Sequence, residues 1–553
     1  MQVTSRITLN AVTSWLSTIV NAALGLILVP FLLAQLGKEG YGLAALAGVI
    51  VSLTMMVDLG LRNAMGRQLA AERARKNVEG YNELASTAMF LYLGLGVLSA
   101  SACLALAPLI ARAFRVSPAL MGEGVFIVRW YATGAILLTF ATVVYTSSMA
   151  SAHRYDLINS ISTGMGIVRA CFLFAVLSAT DWGLRGWALC MILARAGSLL
   201  AFRWAAHRLE PSLAIRPSLF RRREVRPLFS LGGYLFAIRM TGLLSVRSDP
   251  IVLTSCLGPG SVALYDPASQ MSSTLRPFVG TLAAQLHPLT TGYHVKGQKE
   301  RLRQVLLTGT RYTLLMGLLA SVLLGVFADP ICRLWLFRKL GQEYRVTAHV
   351  LMVWAVVDLL AHAGGSQWPV LLGTGRLRFL AWTRLPLAFV NVLASVLFVK
   401  YTGLGVVGVI IPTAIIGMVR RPILVVHTAR VVELSPWRYF TGAYVRPIVV
   451  LAVVAGEAVA LRILIRPAGV MSLVACVVAT GLFWAALVWT VGFTTEDRKT
   501  FRSLLGRIAS AAGRLVRRSS ATVADESAPT ADGPPRAAPA ETSDGDLEGE
   551  KGP

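Results

Sequence analysis

Long apolar runs alternate with short polar loops from Ile7 to Phe493, and this alternation is the main pattern in the chain. Each run has about the length that an α-helix needs to cross a hydrocarbon core roughly 30 Å thick. The pattern predicts about fourteen spanning helices, and thus an all-α polytopic membrane protein. The predicted helices cover residues 7–33, 41–63, 84–111, 124–150, 156–179, 184–206, 228–255, 260–286, 305–328, 346–372, 377–400, 404–428, 441–464 and 469–493.

The composition agrees with a fold whose main solvent is lipid. Of the 553 residues, 55% are hydrophobic and only 15% are charged, and the mean hydropathy is +0.62. Such values lie far from those of soluble domains. The chain has no phosphate-binding GxxxxGK[ST] loop, no HExxH motif, no nucleophile elbow and no cluster of His and Cys ligands. The sequence therefore predicts no catalytic residue, no metal site, no cofactor and no enzyme activity.

The net charge of +25 is concentrated in particular loops. Arginine and lysine gather in the loops after even-numbered predicted helices, which by the positive-inside rule face the cytoplasm, as do both termini. The loop 329–345, with three basic residues, departs from this trend. Short basic loops between membrane spans indicate contact with anionic lipids and no nucleic-acid partner. The basic loops cover residues 62–76, 203–226, 296–303 and 376–378.

The sequence repeats itself at an offset of about 220 residues. Leu36-Gly37 followed by Tyr41 recurs as Leu257-Gly258 followed by Tyr265. Six predicted helices separate the copies, so the two halves have the same orientation and form two pseudo-symmetric six-helix bundles around a central cavity. The predicted organisation is a first lobe at 1–210, a cytoplasmic linker at 211–227, a second lobe at 228–430, two additional helices at 431–495, a basic amphipathic segment at 496–518 and a disordered acidic tail at 519–553. The basic segment fits a helix on an anionic leaflet or a solvated helix equally well.

Charged residues within the spans are the candidates for function. An ionised side chain in hydrocarbon costs several kcal/mol, so such residues usually face a wet cavity or a partner. Arginines outnumber carboxylates among them, which indicates a cavity that prefers anions. They are Asp58, Arg129, Arg169, Arg195, Arg239, Arg247, Asp249, Asp266, Arg276, Arg311, Asp358, Arg384 and Glu457.

Arg239 and Arg247 are the leading substrate-binding candidates. They lie eight residues apart, which places them roughly 80° apart on one face of the seventh helix. Guanidinium groups bind phosphate oxygens through bidentate, charge-assisted hydrogen bonds. The alternative is that Arg247 neutralises Asp249 and that Arg239 extends toward the inner leaflet. Arg276 and Arg129 are further candidates, for which a position near an interface is the alternative.

Three other features have two interpretations each. Asn21 belongs to a polar stripe on the first helix, which lines the cavity or packs against a neighbouring helix. Asp358 and His362 lie four residues apart, as a protonatable pair for proton coupling or as a plain helix–helix hydrogen bond. Asp249 is a further coupling candidate, unless it only balances Arg247.

The motifs resemble those of the polysaccharide-exporter family of lipid-linked oligosaccharide flippases. The resemblance rests on Asn10, on Leu36 to Gly42, on Asp58-Leu59-Gly60-Leu61 and on the restart through Asp249, Leu257-Gly258 and Tyr265, with Gly403 to Gly408. It covers about residues 5 to 495. It implies two bundles that form a V and open alternately to either side of the bacterial inner membrane. It also implies a cationic cavity for the pyrophosphate of an undecaprenyl-linked glycan, with a glycan polymerase as a further partner; the long acidic tail departs from the family pattern.

Other functions are compatible with the same fold. A cation-coupled multidrug antiporter requires inward-facing carboxylates, which the arginine excess disfavours. A peptidoglycan lipid-precursor flippase would carry a chemically similar substrate. A membrane scaffold that recruits glycan enzymes through its tail would depend on residues 519–553.

Overall fold

The computed structural model describes residues 2–58, 61–230, 233–499 and 502, without the side chains of some residues, among them 233–239 and 243–246. The described part of the chain is almost entirely helical and contains no β-strand. Its α-helices are α1 (Gln2–Thr54), α2 (Leu61–Ala74), α3 (Val78–Ala113), α4 (Met121–Phe126), α5 (Thr133–Ser151), α6 (Tyr155–Ala179), α7 (Gly183–Leu209), α8 (Arg222–Ser230), α9 (Gly233–Leu257), α10 (Gly260–Val295), α11 (Lys299–Val326), α12 (Ala328–Leu340), α13 (Tyr344–His362), α14 (Gln367–Gly373), α15 (Leu377–Tyr401), α16 (Ile411–Val431), α17 (Pro436–Ala443), α18 (Val445–Ile465) and α19 (Val470–Leu487).

The prediction of a polytopic helical membrane protein is confirmed. In the described residues, eleven helical segments are long and apolar enough to cross a membrane. Helices are the expected result, because within hydrocarbon every backbone N–H and C=O group needs an internal partner. The first predicted span and most of the second lie in α1, which consists of two helices joined at a kink. They are separated at Gly37, whose φ of 67° and ψ of 178° break the helical geometry.

The helices form two bundles and a C-terminal pair. In the first bundle α3 packs on α5, and α6 packs on α7; in the second, α9 packs on α15, and α11 packs on α13. Each bundle has its own core with fully buried aromatic side chains, such as Tyr131 and Phe140 in the first and Tyr265 and Trp354 in the second. The additional helix α18 packs on α11 and on α19. Of the predicted segment 496–518 the structure describes residues 496–499 and 502, and the predicted tail 519–553 lies entirely outside the described residues.

The two bundles meet along α1 and α10, and polar contacts join them at one end of the molecule. Lys38 forms an ion pair with Glu343, and Arg115 Nη1 donates a hydrogen bond of 3.1 Å to the carbonyl of Cys256. We call this end, which contains residues 36–42, 114–118, 256–260 and 341–344, the closed end. At the opposite end, which carries the basic loops, salt bridges such as Arg73–Glu210 and Lys299–Glu433 join segments of the same bundle.

Gly42 allows the two bundles to approach each other at the closed end. A Cβ atom at position 42 would lie 1.9 Å from the backbone carbonyl oxygen of Pro259. Backbone atoms cannot move aside as a flexible side chain can, so the bundles would have to separate. We expect Gly42→Ala to reduce disulfide formation between cysteines at positions 38 and 343 several-fold, in a background without the native cysteines.

Gly48→Ala is the matched control, because no atom lies within 4 Å of the Cβ that it would add. It should leave the yield of the 38–343 disulfide unchanged. Equal yields in the Gly42→Ala and Gly48→Ala proteins would contradict a tight backbone contact at the closed end.

Candidate functional site

Three arginines line a cavity inside the second bundle. Arg384 comes from α15, and Arg420 and Arg421 come from α16. They border two adjoining spaces of about 200 Å³ and 480 Å³, which also share Ala361. We call the combined space the second-lobe cavity. Its described lining contains no carboxylate, and its other polar side chains are Thr241, His287, Gln367, Asn391 and Thr413.

The three arginines retain hydrogen-bond donors that no described residue uses. The Nε atoms of Arg384, Arg420 and Arg421 are buried and have no partner in the described structure. Arg421 is held in place by donating from Nη2 to the carbonyl of Ala361 at 3.2 Å and from Nη1 to Gln367 Oε1 at 3.4 Å. Buried N–H groups of cations without acceptors are costly. An anion with several acceptor oxygens in the cavity would offset the charge of the three guanidinium groups.

The local sequence explains how Arg421 reaches its position. Arg420 and Arg421 are adjacent, so their side chains leave α16 about 100° apart and reach different surroundings. A Cβ atom at Gly364 would lie 1.7 Å from Arg421 Nη1, so the glycine leaves room for the guanidinium group. Arg384 lies over the ring of Trp368, 5.6 Å from its centroid. These contacts orient the cations without neutralising them.

An apolar groove adjoins the second-lobe cavity at Arg421. It has a volume of about 430 Å³, and Arg421 is the charged residue of its described lining. Trp437, which is 70% exposed, and the exposed Ile448 border it, so the groove opens on the outer surface of the helix bundle. The remaining lining is mostly aliphatic or aromatic: Leu314, Leu318, Leu359, Leu360, Ala363, Pro422, Val425, Val426, Pro436, Phe440, Tyr444, Pro447 and Leu451.

A smaller polar cavity lies inside the first bundle. It has a volume of about 220 Å³ and is bordered by Asn21 of α1, Arg169 of α6 and Arg195 of α7. Arg195 Nη1 donates to Thr139 Oγ1 at 3.0 Å, while its Nε is buried and has no partner in the described structure. We call this space the first-lobe cavity. Of the predicted substrate-binding residues, Asn21 lies here.

The structure places the predicted arginines of the seventh helix in α9. The side chain of Arg239 lies outside the described residues, and the side chain of Arg247 is exposed. Asp249 is fully buried and accepts a hydrogen bond of 2.5 Å from Tyr265. Its second oxygen, Oδ1, has no partner in the described structure. Tyr265 rather than Arg247 is therefore the hydrogen-bond partner of Asp249.

Arg276 and Asp358 form an ion pair within the second bundle. Arg276 Nε lies 2.6 Å from Asp358 Oδ1, and Ser272 donates to Asp358 Oδ2 at 2.6 Å. The guanidinium of Arg276 also lies 4.5 Å from the ring centroid of Trp354. In the predicted protonatable pair of Asp358 with His362, the carboxylate of Asp358 binds Arg276 and Ser272. The imidazole of His362 packs against Gly317.

Arg129 is half-buried in a π-helical turn, Ile127–Ala132, at the start of the fourth span. It does not line either arginine-containing cavity.

Sequence reasoning does not single out Arg420 and Arg421, although both lie within the predicted span 404–428. Two adjacent arginines in an apolar run are the signal that would have identified them.

Comparison with known proteins is consistent with this architecture. The family model described as "Polysaccharide biosynthesis protein" matches residues 7–291. The chain belongs to this family. An uncharacterized membrane protein of Bacillus subtilis (strain 168), EpsK, is 23% identical over 519 residues, which cover 91% of this chain and 99% of the relative.

Two solved structures show the same fold at low sequence identity. One is an inward-facing multidrug resistance MATE family transporter of the MOP superfamily, with a TM-score of 0.62 and 18% identity over 75% of this chain and 94% of that chain. The other is the lipid II flippase MurJ in an inward closed conformation, with a TM-score of 0.61 and 13% identity over 87% and 100%. The family agrees with the predicted family, and the fold shared with these two solved structures agrees with the predicted fold class.

Proposed function

We propose that this protein is a flippase that moves a polyprenyl-diphosphate-linked oligosaccharide across the bacterial inner membrane for polysaccharide biosynthesis. One observation supports this above all: the cationic second-lobe cavity adjoins an apolar groove, and Arg421 borders both. A diphosphate is an anion with several acceptor oxygens, and a polyprenyl chain is purely apolar. The two spaces therefore match the two chemically different parts of such a lipid.

The charge of the loops supports an orientation for the proposed transporter. The basic loops would face the cytoplasm, together with both termini, and anionic lipids would contact them. The closed end would then face the periplasm. In this orientation the structure corresponds to a conformer that receives its substrate from the cytoplasmic leaflet.

In the proposed mechanism the protein binds the diphosphate of the substrate, and the polyprenyl chain stays in apolar surroundings. The guanidinium groups of Arg384, Arg420 and Arg421 donate to the diphosphate oxygens, while the polyprenyl chain lies along the groove and in the bilayer. Release to the other leaflet requires the closed end to open, which separates Lys38 from Glu343. For coupling to a cation gradient we propose Asp249, because its free Oδ1 is available for a proton. Asp358 is engaged by Arg276. A glycan polymerase would receive the product.

A multidrug antiporter is disfavoured by the chemistry of the cavities. Cationic drugs require carboxylates, and the described lining of both cavities contains none. A peptidoglycan lipid precursor also carries a polyprenyl diphosphate, so the arginines would bind it equally well. The lipid-linked oligosaccharide and the peptidoglycan precursor therefore differ in their sugar portions, and selection between them depends on those sugars.

The proposal is tested with the full chain in proteoliposomes. We expect flipping of an undecaprenyl-diphosphate-linked disaccharide, measured by access of a membrane-impermeant glycosidase, at least tenfold faster than in protein-free vesicles. Lipid II serves as the second substrate, and ethidium efflux under a proton gradient serves as the antiporter control. Ethidium efflux without lipid flipping would overturn the proposal, and a strong preference for lipid II would assign the peptidoglycan precursor instead.

A further inference from the structure

The two arginine cavities occupy equivalent positions in the two bundles. The first-lobe cavity is lined by the first, fourth, fifth and sixth spans, which are α1, α5, α6 and α7. The corresponding spans of the second bundle, α9, α13, α15 and α16, line the smaller part of the second-lobe cavity. In each case one arginine comes from the fifth span and at least one from the sixth: Arg169 and Arg195 in the first bundle, Arg384 and Arg420 in the second.

The two cavities have different surroundings, which indicates that they bind different chemical groups. The second-lobe cavity adjoins the apolar groove, whereas the first-lobe cavity is bordered by hydroxyl-bearing side chains. Three of these hydroxyls, on Thr139, Thr142 and Ser198, donate to carbonyl groups of their own helices. Their oxygens therefore retain lone pairs as acceptors, and the oxygen of Thr139 already accepts from Arg195 Nη1. Lone pairs accept hydrogen bonds from the hydroxyl groups of a sugar.

The first-lobe cavity also contains cationic donors that need an acceptor. Arg195 Nε is buried and has no partner in the described structure, and Arg169 lies beside the same space. A neutral sugar offers only weak acceptors to two guanidinium groups, whereas a carboxylate offers two oxygens in bidentate geometry. The volume of about 220 Å³ is below the ~300–1,000 Å³ of sites for drug-sized ligands, so it suits a single sugar ring.

The two cavities lie at the same depth, but their arginines lie at different distances from the basic ends of their helices. Arg384 lies seven residues from the basic end of its helix, a rise of about 10 Å. Arg169 and Arg195 each lie fourteen residues from the basic ends of theirs, a rise of about 21 Å. Arg420 and Arg421 lie eleven and ten residues from the basic end of α16, so all three second-lobe arginines are nearer to that side than the first-lobe pair. A diphosphate near the leaflet would thus be held by the second-lobe arginines, while the attached sugar extends toward the deeper first-lobe arginines.

We infer that the transported glycan is acidic, and that Arg169 and Arg195 bind the carboxylate of one uronic acid residue in the first-lobe cavity. This inference rests on the proposed flippase function and adds the class of sugar. The second-lobe cavity binds the diphosphate that every polyprenyl-linked substrate has. The first-lobe cavity selects among glycans by charge.

The experiment compares two substrates that differ only in one group. Proteoliposomes contain the full chain with undecaprenyl diphosphate linked to a disaccharide that ends in glucuronate or in glucose. We expect the wild-type protein to flip the glucuronate substrate at least tenfold faster than the glucose substrate. Arg169→Gln/Arg195→Gln should flip both at the slower, glucose rate, because the variant keeps hydrogen-bonding groups but loses both charges.

Arg112→Gln is the matched control, since Arg112 is exposed and lies outside both cavities. It should retain the wild-type preference, and equal thermal unfolding temperatures of all three proteins exclude misfolding. Equal rates for both substrates in the wild-type protein would overturn the acidic-sugar inference and leave the flippase function intact. Flipping of neither substrate would instead count against the flippase function itself.

Discussion

Replacement of Arg384, Arg420 and Arg421 together by glutamine is expected to reduce lipid flipping by at least a thousandfold. Hydrogen bonds that involve a charged group contribute about 1.5–3 kcal/mol each. Loss of three such bonds to a diphosphate removes roughly 4.5 kcal/mol or more, and ~1.4 kcal/mol corresponds to a factor of ten. The three Nε groups have no partner in the described structure, so the internal hydrogen bonds at stake are those that Arg421 donates to Ala361 and Gln367. The rate is measured in proteoliposomes with an undecaprenyl-diphosphate-linked disaccharide.

The control for this variant is Arg338→Gln, because Arg338 is exposed and lies outside the cavities. It removes a positive charge without changing the second-lobe cavity, and it should flip at the wild-type rate. A triple variant that folds normally and flips within threefold of the wild-type protein would show that the diphosphate does not bind these arginines. A variant with Gly364→Ala gives an independent test, since it displaces Arg421 and preserves every charge.

The second large effect concerns the ion pair that joins α10 to α13. Asp358→Ala is expected to lower the free energy of unfolding by about 3 kcal/mol, because it leaves Arg276 without its carboxylate partner among apolar helices. The Asp358 side chain is 5% exposed and that of Arg276 is 31% exposed. The expected loss therefore lies at the lower end of the range for buried pairs. Unfolding in mixed detergent micelles measures it.

A double-mutant cycle separates this pair from the loss of packing. Arg276→Met removes the charge and keeps most of the side-chain volume. The double variant Arg276→Met/Asp358→Ala should regain part of the stability that Asp358→Ala loses, since no unpaired charge remains. Strictly additive effects of the two substitutions would mean that the two residues do not stabilise each other.

The sequence by itself determined the class of fold and contained the duplication. Apolar runs of the length of a bilayer can form only helices in lipid, because the backbone has no water to satisfy its polar groups. The break between the first two spans was visible at Leu36-Gly37, where the structure has a glycine with a positive φ. The offset of about 220 residues also relates the two cavities, as Asn21 and Thr241 illustrate.

The arrangement of the cations was decided by the tertiary structure. Arg276 and Asp358 are far apart in the sequence, and only the packing of α10 on α13 makes them an ion pair. The sequence indicated that arginines would be buried and that their cavity would prefer anions. It could not indicate which of them share a cavity, because that depends on the rotation of each helix about its axis. Rotation follows from side-chain packing between helices, which no local pattern contains.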